Sequence, residues 1–162
     1  MVEYGILGPL AARVDGHSVD LGGARTRAVL AVLLLGRNTV GSTDRLVDAV
    51  WGEDPPPTAE TALQNHVSRL RRLLGADAIE TRAPGYVLRT DVGNVDVERF
   101  EALVERARAA GPREAGLLLR EALGLWRPDR RKPRQIPIGS LVGQPLLAAA
   151  AIAGEKRSAG FA

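Results

Sequence analysis

The sequence predicts an α+β fold, in which a small antiparallel sheet, three helices and a β-hairpin are followed by an all-α segment. Three observations predict it. Short apolar runs separated by glycine-containing turns occupy the first 21 residues. A strongly amphipathic helical pattern over Thr58–Leu74 is followed by two strand-like runs around a Pro-Gly turn. After Asp96 the apolar residues recur at helical spacing.

The N-terminal sheet is predicted from three runs of strand length. The turn signals Gly8-Pro9 and Asp15-Gly16 separate these runs, and Gly22-Gly23 ends the sheet. Consecutive runs joined by such short turns favour antiparallel pairing. The predicted strands are Tyr4–Leu7, Leu10–Val14 and Ser18–Leu21.

The first predicted helix, Ala24–Leu35, is apolar nearly all round and is closed by Gly36. Such a pattern is typical of a helix that is central in a core. Arg25 and Arg27 lie in its first turn, where the helix dipole disfavours cations. Solvation at the surface and contact with phosphates explain these two arginines equally well. The apolar positions are Ala28, Leu30, Ala31, Leu34 and Leu35.

A second, shorter helix is predicted over Thr43–Trp51, with Ser42 or Thr43 as its cap. Its amino end is a candidate phosphate site, because free backbone N–H groups and the macrodipole both favour an anion. The inward positions are Leu46, Val47, Val50 and Trp51.

The third helix, Thr58–Leu74, has Thr58 as its predicted N-cap and Gly75 just past its end. Its apolar stripe consists of Leu63, Val67, Leu70 and Leu74. The opposite face carries hydroxyls, amides and guanidinium groups and no carboxylate, which suits base edges and phosphates in a major groove. Considered alone, this helix is better explained as an ordinary surface helix with a solvated face, and it is the surrounding chain that changes this balance. The outward residues are Thr61, Gln64, Asn65, Ser68, Arg69, Arg71 and Arg72.

A β-hairpin is predicted directly after this helix, from Ile79–Arg82 and Tyr86–Arg89. Ala83-Pro84-Gly85 fits a type II turn in which Gly85 supplies the positive φ, with Arg82 at the tip. A sheet, three helices and a terminal hairpin make a winged helix-turn-helix. In that architecture the third helix enters the major groove and the hairpin reaches the neighbouring backbone.

The second half of the chain begins after a linker at Asp91–Val95. We expect Asp96 to cap a helix that ends at Gly111, and Pro112 to begin a second helix. The two form a helical hairpin of the TPR-like kind, which cannot bury both faces alone. The predicted stripes are Phe100, Leu103, Val104 and Ala107 in the first helix and Ala115, Leu119, Ala122 and Trp126 in the second.

Beyond Trp126 the basic, proline-broken run Arg127–Arg134 is expected to be a solvated loop. A third helix of the all-α segment is predicted over Pro145–Ala159. The expected domains are therefore residues 1–92 and 95–162, with 127–162 divergent.

Charge and composition limit the classes of function that this chain can have. The net charge is +3, but residues 1–94 hold ten arginines and eleven acidic residues, so the positive excess lies later. A basic spot remains between residues 61 and 90, where five arginines oppose two acidic residues. The chain has no cysteine, its two histidines lack metal spacing, and no P-loop or G-x-S-x-G motif occurs. We therefore expect no enzyme activity, no metal and no cofactor.

No signal peptide is expected from Met1-Val2-Glu3, and the longest apolar run, Pro145–Ala153, is too short to span a membrane.

The N-terminal part resembles the OmpR-type winged helix as it occurs in the Streptomyces antibiotic regulatory proteins. From Asp96 to Trp126 the chain resembles the start of the bacterial transcriptional activator domain, ending in Glu121-Ala122-Leu123-Gly124-Leu125-Trp126-Arg127. The segments that carry the N-terminal resemblance are Gly5–Leu10, Leu21-Gly22-Gly23 with Arg27-Ala28-Val29-Leu30, Asp44–Gly52, Ala62–Arg72 and Thr81–Tyr86.

The resemblance implies a cytoplasmic transcriptional activator of secondary-metabolite gene clusters. Such a protein would bind direct repeats in double-stranded DNA head-to-tail, as a dimer, and recruit RNA polymerase. By position, the residues facing the major groove would be Thr61, Gln64, Asn65, Ser68 and Arg69. Arg71 and Arg72 would meet phosphates, Arg82 would sit at the wing, and Arg25 and Thr43 complete the DNA-binding candidates.

The chain departs from the family in two places. Arg25 replaces a lysine and keeps its charge, and RPDRRKPRQIPIG after Trp126 replaces the usual acidic and apolar segment. Two other functions therefore stay open: a protein-interaction module, and a truncated DNA-binding competitor that does not activate.

Overall fold

The computed structural model describes residues 1–127 and confirms the predicted α+β fold. It contains two three-stranded antiparallel sheets and five α-helices within that range. The predictions for the run after Arg127 and for a helix over Pro145–Ala159 lie outside the described residues. No helix among residues 1–127 is long and apolar enough to cross a membrane.

The first sheet is formed by β1 (Val2–Gly5), β2 (Ala11–Val14) and β3 (His17–Ser18), in the order β1-β2-β3. The strand predicted over Tyr4–Leu7 was placed two residues too late. Ile6 and Leu7 leave the ladder because their N–H groups donate to the Asp96 carboxylate, at 2.8 and 3.1 Å.

Three helices contribute to the larger of the two hydrophobic cores, which we call the first core. They have nearly the predicted bounds: α1 is Ala24–Leu35, α2 is Thr43–Trp51 and α3 is Ala59–Leu74. Ser42 caps α2 by accepting from the Arg45 N–H, whereas the Thr58 side chain caps nothing. The four stripe residues of α3 are buried as predicted. In α1 the buried face is centred elsewhere than predicted, on Thr26, Val29, Leu30, Leu33 and Leu34.

A two-residue strand that the sequence did not predict, β4 (Gly41–Ser42), completes the second sheet. The others are β5 (Ile79–Arg82) and β6 (Gly85–Leu88), in the order β4-β6-β5. The predicted type II turn is wrong: Gly85 is the first residue of β6, pairs with Arg82 and has no positive φ. It must be glycine for another reason, because a Cβ there would lie 2.0 Å from the Gly41 carbonyl oxygen.

The remaining helices, α4 (Asp96–Ala109) and α5 (Pro112–Gly124), pack as the predicted hairpin. The α5 face differs from the prediction: Leu119 is 44% exposed and Trp126 lies beyond the helix. The buried contacts of the hairpin come from Leu103, Ala107, Leu118 and Ala122, with Phe100, Val104, Ala115 and Leu125 partly buried around them.

Two acidic residues of α4 join the helical hairpin of α4 and α5 to the first core. Asp96 does not cap α4, whose N-cap is Val95; its carboxylate binds the end of β1 and lies 3.3 Å from Arg127 Nη2. Glu98 accepts from Arg37 at 2.6 Å and from the Gly93 N–H at 2.7 Å. Val95 itself is fully buried in the first core. The segment preceding α4 is therefore part of that core.

The Asp96 contacts generate a stability prediction. The Asp96 side chain is only 14% exposed, so Asp96→Ala leaves two backbone N–H groups without their acceptor. We expect the free energy of unfolding to fall by about 1–3 kcal/mol in urea denaturation. Glu105→Ala removes a carboxylate of the same helix that pairs with Arg108 and is 74% exposed. We expect this change to lower the free energy of unfolding by less than about 0.5 kcal/mol. Equal effects of the two changes would refute the role of Asp96.

Replacing either of two glycines by alanine should change the unfolding free energy, but in opposite directions. Gly85→Ala drives a Cβ into the β4 backbone, so we expect a loss of about 1–3 kcal/mol in unfolding free energy. Gly116→Ala lies in α5 with nothing within 4 Å, so we expect a gain of about 0.5–1 kcal/mol from helix propensity. Thermal or urea unfolding measures both, and a neutral Gly85→Ala would contradict the close approach.

Candidate nucleic-acid interface

One face of α3 is a continuous polar surface. Its opposite face is buried, and the helix packs against α1 and α2. Between Glu60 and Asp77 the chain contains no acidic residue, so this surface carries only donors, amide and hydroxyl acceptors, and positive charge. At 16 residues the helix is about 24 Å long, enough to cross a major groove. After Glu60, which is exposed in the first turn, the exposed residues are Thr61, Gln64, Asn65, Ser68, Arg69 and Arg72.

Arg69 lies against the loop that precedes α1. A Cβ on Gly22 would lie 2.6 Å from Arg69 Nη2, and Gly22 has a φ of +77°. A side chain at this position would therefore be strained and would collide with the guanidinium. The loop thus forms one wall beside the Arg69 side chain.

Arg71 differs from its exposed neighbours, because its side chain is half-buried and turned toward the β-hairpin formed by β5 and β6. Its Nε donates to the Ile79 carbonyl at 2.7 Å and its Nη2 donates to Thr81 Oγ1 at 2.8 Å. Its guanidinium carbon also lies 6.0 Å from the centre of the Tyr86 ring. The phosphate contact expected of Arg71 thus competes with three contacts inside the protein.

His66 connects α3 to α1 and α2 at the edge of the exposed face. Its Nδ1 lies 3.0 Å from Thr26 Oγ1, and its ring centre lies 6.1 Å from that of Trp51. Burial, with smaller contributions from the positive charges of Arg25 and Arg69, holds the pKa of the imidazole below its ordinary value of 6.5. One feature of the sequence indicated that His66 would contact the neighbouring helices: it directly precedes the buried stripe residue Val67.

The remaining candidates for DNA contact lie at the start of α1, at the start of α2 and on the β-hairpin. Arg25 is exposed, with its guanidinium carbon 5.9 Å from the Trp51 ring centre. The Thr43 N–H and hydroxyl both donate to the Pro84 carbonyl, at 3.1 and 3.2 Å, so that N–H is not free for a phosphate. Arg82 is exposed at the end of β5.

The hairpin carries one further ion pair, between Arg89 and Glu80 at 2.8 Å. The hydrogen bond from Arg89 lowers the pKa of the Glu80 carboxyl, and the same bond raises the pKa of Arg89. Arg89 is thereby partly neutralised, whereas Arg82 makes no ion pair within residues 1–127. Within that range no three His, Asp or Glu side chains cluster as metal ligands would.

Comparison with known proteins identifies relatives over most of this chain. Residues 16–88 match the family described as "Transcriptional regulatory protein, C terminal". The chain is 36% identical over 129 residues to the regulatory protein AfsR of Streptomyces griseus, which covers 77% of this chain and 13% of that protein. It is 36% identical over 143 residues to the regulatory protein DnrI of Streptomyces peucetius, covering 79% of this chain and 53% of that protein.

A solved structure is also similar, that of EmbR from Mycobacterium tuberculosis in complex with a low affinity phosphopeptide. The TM-score is 0.73 at 33% identity, and the match covers 91% of this chain and 43% of that chain. The chain thus spans between 13% and 53% of the length of these relatives.

The environment of His66 predicts a pH dependence of stability. Because its folded-state pKa is lowered below 6.5, its contribution is fully present above about pH 6.5 and is lost as the pH falls through the folded-state pKa. We expect the unfolding free energy of the wild type to decrease between about pH 7.5 and 5, and that of His66→Gln to decrease less.

Urea denaturation at several pH values measures this dependence. Asn65→Ala, at the adjacent exposed position, is the control and should keep the wild-type dependence on pH. An unchanged dependence in His66→Gln would show that the imidazole is not held neutral by its surroundings.

Proposed function

Since the chain belongs to the Streptomyces antibiotic regulatory protein family and carries its OmpR-type winged-helix domain, we propose that it is a sequence-specific regulator of transcription that binds double-stranded DNA. The exposed face of α3 carries this proposal. Its amides, hydroxyls and guanidinium groups are the groups that read base edges in a major groove. Thr61, Gln64, Asn65, Ser68 and Arg69 are the proposed base-facing residues.

The proposed phosphate contacts surround this face. Arg72 lies exposed on α3, Arg82 on the hairpin and Arg25 on the first turn of α1. Phosphate contacts fix the register of a protein on the duplex without reading its sequence. Thr43 is a weaker candidate, because its N–H and hydroxyl already donate to the Pro84 carbonyl.

The regulatory role rests on the relatives and on the resemblance of residues 96–126 to the start of the activator domain. We propose that the protein activates a secondary-metabolite gene cluster by binding direct repeats head-to-tail near a promoter and recruiting RNA polymerase. We propose a cytoplasmic location on the same ground, because the DNA ligand is there. No feature of the site supports enzyme activity, and the proposal includes none.

Binding to a direct-repeat promoter fragment tests the proposal. Fluorescence anisotropy across a salt series, with an unrelated duplex as competitor, separates specific from non-specific affinity. We expect the logarithm of the binding constant to fall with the logarithm of salt concentration with a slope of about −0.9 for each phosphate contacted. Equal, weak affinity for both duplexes would refute sequence-specific binding.

Arg69→Ala tests the assignment of the reading face. We expect it to weaken specific binding by about 1–3 kcal/mol while non-specific binding changes much less, because a base contact discriminates between sequences. Arg113→Ala removes the same charge from an exposed site on α5 and should leave the preference between the duplexes unchanged. If both variants weakened binding equally to both duplexes, Arg69 would contribute only charge.

A further inference from the structure

The side chain of Arg71 bridges α3 and both strands of the hairpin. It bonds the main chain of β5 at Ile79 and the side chain of Thr81 two residues further along the same strand. Thr81 pairs directly with Tyr86 of β6, whose ring lies beside the same guanidinium. Arg82, the hairpin arginine proposed to contact DNA, immediately follows Thr81. One guanidinium on the proposed reading helix thus holds the strand that carries the wing arginine.

We propose that Arg71 is a positioning residue, which fixes the hairpin relative to α3 so that Arg82 and the α3 face can engage one duplex at the same time. This inference rests on the proposed function and assigns Arg71 a role different from a phosphate contact. Its planar fork suits the task, because Nε and Nη2 present two donors in a rigid geometry while the face of the group lies near an aromatic ring. A lysine keeps the charge but has a single ammonium group on a flexible stem.

Arg72 is the matched control. It occupies the next position on α3, carries the same charge and is exposed, and it makes no hydrogen bond or ion pair to the residues that the structure describes. Arg71→Lys and Arg72→Lys therefore both conserve charge, but only the first removes the fork that reaches the hairpin. Thr81→Val is a second variant, which removes the acceptor from the hairpin side and leaves α3 unaltered.

A double-mutant cycle with Arg82→Ala tests the role on DNA. In the wild-type background we expect Arg82→Ala to weaken binding to the direct-repeat fragment about three- to tenfold, and in the Arg71→Lys background less than about twofold. The Arg72→Lys background should preserve the full effect. We also expect Arg71→Lys, without any change in charge, to reduce the salt slope by about 0.9, the value of one phosphate contact.

An equal effect of Arg82→Ala in the Arg71→Lys and Arg72→Lys backgrounds would overturn the proposal, because Arg71 would then act independently of the wing. An Arg71→Lys variant with wild-type affinity and salt slope would overturn it as well.

Amide hydrogen exchange in the free protein separates this proposal from the proposed function. Exchange in peptides covering residues 79–88 should be several-fold faster in Arg71→Lys and Thr81→Val than in the wild type and Arg72→Lys. Unchanged exchange in both variants would refute the restraint on the hairpin, whether or not DNA binds. Faster exchange together with no specific DNA binding would keep the restraint and reject the DNA-reading function.

Discussion

Burial of the α3 stripe is the constraint on which the rest of this structure depends. Leu63, Val67, Leu70 and Leu74 are at most 3% exposed, beside α1 and α2. A helix turns by about 100° per residue, so fixing these four positions also determines which side chains face solvent. The polar face is therefore a geometric consequence of core packing. A change in the core that rotated α3 by one residue would replace every group on that face.

The second sheet is positioned by contacts that converge on it from both helices of the helix-turn-helix. On one side Thr43, at the start of α2, binds the Pro84 carbonyl, and β4 approaches Gly85 so closely that no side chain fits. On the other side Arg71 reaches across from α3. Main-chain groups take part in all of these contacts except the bond from Arg71 Nη2 to Thr81 Oγ1. The spacing between helix and hairpin therefore depends on few side chains, and the outward residues are free to differ.

Local patterns predicted the helices well, since helical periodicity and caps are properties of short segments; α1 and α2 agree with the prediction to the residue. The features that failed depend on distant partners. Ile6 lies 90 residues from the Asp96 carboxylate that removes it from β1. The choice between Leu118 and Leu119 as the buried residue of α5 was ambiguous, because leucines occupy three consecutive positions and only α4 decides among them. Likewise, nothing near Arg71 in the sequence indicated that its partners are in β5.

The burial of Val95 has a consequence for how this chain can be divided. A cut at residue 92, where composition changes, would remove a fully buried side chain from the first core. It would also remove the Asp96 carboxylate, which accepts from two N–H groups just after β1. A fragment intended to represent the winged helix alone would therefore need to continue through Glu98, which also binds Arg37. The first turn of α4 thus belongs physically to the fold that precedes it.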